Sequence, residues 1–104
     1  QLFQSQIFFM LYSNKLLFMN INELIEIVKS KIEAEIVMQD FKIEDKSFLH
    51  KNHKGNQEGM FHLKLIIKSE ELKRLSKIES TKKIYNILDV ELKEHIHSIQ
   101  ILLS

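Results

Sequence analysis

Five histidines, His50, His53, His62, His95 and His97, carry most of the reactive chemistry in this sequence. Imidazole titrates near neutral pH and, when neutral, ligates transition metals, so these positions are the natural candidates for a metal site or a proton relay. There is no cysteine. The chain can therefore form no disulfide, no Cys-ligated zinc site and no thiol nucleophile, and any metal must be held by His, Asp, Glu or a partner's ligands. Ser47 and Asp45 stand near the histidines in sequence, as in a hydrolase, but their loop shows no recognisable oxyanion hole. No nucleophile elbow, P-loop or dinucleotide fingerprint is present. The chain reads as non-catalytic.

The elements that must position these histidines come from one small domain. A length of 104 residues with 44% hydrophobic and 28% charged residues is globular composition. A core this small supports a stability on the order of 5 kcal/mol and leaves little room for a deep substrate cavity. The net charge is +1, with lysines interleaved among glutamates, so no uniform field draws in a polyanion. The best basic patch is Lys73, Arg74, Lys77, Lys82 and Lys83. Glu70, Glu71 and Glu79 interrupt it, and it reads first as a solvated helix face and second as a nucleic-acid contact. Gly55 and Gly59 have three residues between them, so the Gly-x-x-Gly clamp of an RNA-binding KH domain is absent.

Residues 1–19 are apolar, with Lys15 as their one charge, and are expected to be a poorly ordered extension. Their apolar run is too short to span a bilayer, and no basic segment precedes it as in a secretory leader. The domain is expected over 20–104. Asn20 with Glu23 makes a capping box, and Ile21, Leu24, Ile25, Val28 and Ile32 follow at helical spacing to about Ala34. Ile36 to Glu44 reads as a first strand, 45–59 as a loop, and Phe61 to Lys68 as a second strand. In that strand Phe61, Leu63, Leu65 and Ile67 face the core, and His62, Lys64 and Lys68 face water. A short helical turn is expected over Glu70 to Arg74. Ser76 and Glu79 then cap a longer helix whose inner stripe is Ile78, Tyr85, Leu88 and Leu92, widened by Ile84 and Ile87. Ile96 to Leu103 is the last strand.

This order, α-β-β-α-α-β, is an α+β layer of helices on a three-stranded mixed sheet. A helical crossover between the second and third strands makes them parallel neighbours, so both begin at the same edge. Connectivity alone thus brings His50, His53, His62 and His97 towards one edge. His95 is expected at the C-terminus of the preceding helix, where a cationic imidazole complements the dipole.

Several stretches now carry a resemblance to the BolA family: Asp45-Lys-Ser47-Phe-Leu-His50-Lys-Asn-His53-Lys-Gly55, His62-Leu-Lys-Leu-Ile-Ile-Lys-Ser69, Lys83-Ile-Tyr85, and Glu91-Leu-Lys-Glu-His-Ile-His97-Ser98. The resemblance implies the same fold, similar to a class II KH domain, and a non-catalytic adaptor role. It also implies a monothiol glutaredoxin partner of the Cys-Gly-Phe-Ser type, joined through a shared [2Fe-2S] cluster for which the glutaredoxin cysteine and glutathione supply sulfur. His97 matches the family's C-terminal histidine ligand, and His50 or His53 would be the loop ligand. His62 would orient a ligand through its other nitrogen or a water. No cluster is expected to stay bound to the chain alone, which is expected to be monomeric, off the membrane and in the cytoplasm, with the mitochondrion as the alternative. Some family members are also credited with DNA binding and transcription regulation. Many carry a Phe-x-Gly element and an Arg-His-Arg triplet where this chain reads Leu72-Lys73-Arg74 and Ser80-Thr81-Lys82, which removes the bidentate arginine donors such a contact would use.

Overall fold

The structure is a computed structural model and describes residues 19–47 and 60–104; the expected N-terminal extension, and the loop histidines His50 and His53, lie outside these residues. Helix α1 (Ile21–Glu35) starts where the sequence places it, because the Asn20 side chain accepts the Glu23 N–H at 2.9 Å and donates to the Glu23 carboxylate at 3.2 Å. Its Leu24, Val28 and Ile32 are buried on one stripe, each worth about 1.5–3 kcal/mol of apolar burial. Met19, just before the cap, is buried with the same core.

Ile36 caps α1 and turns into the core instead of opening a strand, so strand β1 (Asp40–Asp45) begins later than the residue types predict. The β-branched character of Ile36 and Val37 serves a corner here. Ser69 donates its hydroxyl to the Val37 carbonyl at 2.7 Å, and Glu71 accepts the Val37 N–H at 3.2 Å. Strand β2 (Phe61–Lys68) pairs antiparallel with β1 and parallel with β3 (Ile96–Leu103), giving the order β1-β2-β3 among the described residues. Leu63, Leu65 and Ile67 are buried beneath the helices, as alternation requires.

The crossover from β2 to β3 holds three helical pieces: α2 (Glu70–Lys73), α3 (Lys77–Ile87) and α4 (Asp89–Glu94). Ser69 caps α2 and Ser76 caps α3, the latter by accepting the Glu79 N–H at 3.1 Å. The long helix expected from Ser76 is broken at Leu88, whose φ of −99° and ψ of 20° end α3 and start α4. The stripe of α3 is also rotated from the expected one. Ser80, Ile84 and Leu88 are buried, whereas Ile78 and Tyr85 are 68% and 43% exposed. On that inward face the Ser80 hydroxyl donates to the Leu72 carbonyl at 3.0 Å beside the fully buried Ile84 and Leu88. None of the helices among the described residues is long and apolar enough to cross a membrane.

Candidate functional site

The edge where β2 and β3 both begin is built around an irregularity. Phe61 pairs with Ile96, but the next residue of β2, His62, pairs with Ser98, so His97 is an extra residue with no partner on β2. Such a bulge interrupts alternation and re-aims side chains. Ile96 points into the core, His97 and Ser98 are both exposed, and from Ile99 onward the alternation resumes. His97 thereby projects from the mouth of the parallel pair.

His62 is held beside it. Although expected on the wet face of β2, it is only 4% exposed. Its Nδ1 shares a 2.6 Å hydrogen bond with Ser98 Oγ, and its ring centroid lies 5.0 Å from that of His97, with the planes inclined at 47°. The backbone is fixed as well. The His62 N–H donates to Ser47 Oγ at 3.1 Å, the Lys46 N–H donates to the His62 carbonyl at 2.7 Å, and the Ser47 N–H donates to the Asp45 carboxylate at 2.9 Å. Asp45, Lys46 and Ser47 thus bracket the start of β2. Ser98 was the residue that the sequence alone did not single out. The partner across from His62 depends on a one-residue offset that no local pattern announces.

His95 occupies the C-cap of α4, as expected, with its N–H donating to the Glu91 carbonyl at 2.9 Å. Its ring is buried, and Nε2 has no hydrogen-bond partner among the described residues. Glu91 is fully buried and receives Lys31 Nζ at 2.7 Å, which ties α4 to α1 immediately before the strand that carries His97. On β1, where Glu44 pairs with Lys64, desolvation would raise the Glu44 carboxyl, but the ammonium groups of Lys46, Lys42 and Lys64 outweigh it and hold the group below its ordinary value.

The basic patch is less free than the sequence implies. Lys73 lies 3.7 Å from Glu70 and Lys83 lies 3.9 Å from Glu71, while Arg74, Lys77 and Lys82 enter no ion pair among the described residues. The described residues bring no group of three or more His, Asp or Glu together to hold a metal. The sheet edge therefore offers an exposed imidazole and a buried, anchored one, and a metal held there would need further donors.

A three-stranded mixed sheet under helices, with histidines at the start of its parallel pair, defines a small α+β domain. The family model for "BolA-like protein" matches residues 32–104, and the chain belongs to the BolA-like family. It is 31% identical over 74 residues to the DNA-binding transcriptional regulator BolA of Haemophilus influenzae, a match covering 71% of this chain and 69% of that protein. The structure is similar to the BolA domain of SufE1 from Arabidopsis thaliana, with a TM-score of 0.63 and 28% identity over 74% of this chain and 85% of that one. It has the fold of BolA1 from Arabidopsis thaliana, with a TM-score of 0.62, 22% identity and the same coverage of the two chains.

Proposed function

We propose that this protein is a non-catalytic adaptor in iron-sulfur cluster assembly, trafficking or iron sensing, and that it pairs with a monothiol glutaredoxin around a shared [2Fe-2S] cluster. The observation that carries the reading is the bulged, exposed His97 beside the anchored His62. The donor set fits the group: neutral imidazole is an established iron ligand, and a cysteine-free chain needs sulfur from a partner and its glutathione to complete the coordination. His97 would hold the cluster, with His50 or His53 as the second ligand from this chain. When bound, the cluster would supply one-electron redox chemistry and transferable iron and sulfide. The chain's own part is to present imidazole at the sheet edge, keep its direction fixed through the bulge, and back it with the His62–Ser98 pair.

A second reading, regulation of transcription through DNA, rests on the name of the Haemophilus influenzae relative. The residues for it are Lys73, Arg74, Lys77, Lys82 and Lys83. It has less support here, since two of these five lysines and arginines face carboxylates. The readings separate in one experiment. The chain is mixed with a Cys-Gly-Phe-Ser glutaredoxin, glutathione, iron and sulfide, and separately with duplex DNA across a salt series. A saturable heterodimer whose visible spectrum requires both proteins is expected. Its absence, together with a steeply salt-dependent, sequence-selective DNA affinity, would favour the regulator. Alone, the chain should retain no stoichiometric cluster after gel filtration.

A further inference from the structure

Helix α3 is apolar on two faces, and the domain uses one of them. Ser80, Ile84 and Leu88 pack inward, while Ile78 and Tyr85, two turns apart on the outer side, remain 68% and 43% exposed. Between them lies an open groove of about 510 Å³ lined by Lys77, Ile78, Thr81, Lys82, Tyr85 and Asn86. An aliphatic and an aromatic side chain at this spacing form the anchor pattern by which one helix receives another. The rim is one-signed: it has two lysines and no carboxylate, and neither lysine enters an ion pair among the described residues.

We propose that this face docks an amphipathic helix with an acidic rim, supplied by a partner protein. Its apolar side would cover Ile78 and Tyr85, and its carboxylates would meet Lys77 and Lys82. Charge argues against a second copy and against the chain's own first residues as occupants. A second copy docked face to face would set the same two lysines against each other, and the chain's own residues 1–18 carry Lys15 as their one charge and no acid. A phosphate backbone would leave the apolar pair Ile78 and Tyr85 uncovered, and competition with duplex DNA tests it.

The test is a displayed library of 18-residue helical peptides with leucine fixed along one stripe and all other positions randomised, selected against the full chain. Selected peptides should be enriched in Asp and Glu beside the leucine stripe. Their amide-shift footprint should fall on Ile78, Thr81 and Tyr85, and binding should drop at least tenfold with Ile78→Ser plus Tyr85→Ser. Lys77→Glu plus Lys82→Glu should reverse the selected charge, and both double variants should keep the parent's circular dichroism. Selection without acidic enrichment, a footprint elsewhere, or full competition by duplex DNA with loss of the reversal would overturn the proposal. If the apolar double variant misfolds, the charge-reversal variant decides alone.

Discussion

The imidazoles of His62 and His97 stand 5.0 Å apart, centroid to centroid, because β3 contributes one residue more than β2 at the mouth of their parallel ladder. Without the bulge, His97 would sit opposite His62 in the ladder and Ser98 would face the core. With it, Ser98 reaches His62 Nδ1 and His97 is left to the solvent side. A single unpaired residue thereby provides both an anchor and an exposed donor.

His97→Ala should leave the fold nearly intact, since an exposed strand-end imidazole contributes little to the core. The visible absorption and lifetime of the glutaredoxin complex should change, whereas surface contacts can preserve association of the apo-proteins. Leu65→Ala is the contrasting case, expected to cost about 2–5 kcal/mol and to damage fold and binding together. Urea unfolding and visible spectra of both variants check this. An unaltered spectrum and lifetime in folded His97→Ala would remove the residue from the ligand set.

Ser98→Ala removes the 2.6 Å partner of a buried ring. Because Ser98 is exposed and water can replace its hydroxyl, the expected loss is about 0.5–1.5 kcal/mol, the net worth of one intramolecular hydrogen bond. Ser98→Thr keeps the hydroxyl and should recover most of it. Nitrogen chemical shifts of the His62 ring should move in the alanine variant and return in the threonine variant; shifts insensitive to both would mean the contact does not set the ring's state.

Lys31→Met takes the cation from a carboxylate that has no exposure. Breaking such pairs in full burial costs about 3–5 kcal/mol, but Lys31 is partly in water, so about 1–3 kcal/mol is the expectation. Because Glu91 lies on α4, next to the start of β3, hydrogen exchange should rise at Ile96 and His97 as well as on α1. A purely local rise on α1 would contradict the role of this pair in seating β3.

Glu44, with its folded pKa held below the ordinary carboxylate value by Lys46, Lys42 and Lys64, gives a pH prediction of definite sign. Its contribution is complete above the unfolded pKa and disappears as pH falls through the folded one. Glu44→Gln should therefore lower stability at neutral and alkaline pH and converge with the parent as pH falls through the folded pKa, flattening part of the acid limb of a stability-versus-pH curve. A loss that persisted equally at every pH would point to packing instead of charge.

The elements with strong local signals were legible in the residues alone. Asn20 with Glu23, Ser76 with Glu79, the alternating Phe61–Lys68 segment and the apolar Ile96–Leu103 segment all lie where their chemistry predicts. What could not be read depends on contacts made across the fold. Ile36 looks like a strand former and caps a helix, because Ser69 and Glu71 hold the following Val37 in a corner. Ile78 and Tyr85 look like core, but α3 buries Ile84 and Leu88 instead, with the Ser80 hydroxyl satisfied by the Leu72 carbonyl on that face. At the site, connectivity placed His62 and His97 together, while the bulge and the burial of His62 required the register of β2 on β3.

The parallel pairing of β2 with β3 also sets a timetable. Its two strands are joined through α2, α3 and α4, so the chain must close a long loop before the ladder can form, and contacts of this range are slow to assemble. The β1–β2 pairing can be made without that crossover, but the His62–His97 pair cannot. The imidazole pair is consequently absent from a nascent or half-folded chain, so any chemistry that needs both rings would have to wait until the whole domain has finished folding.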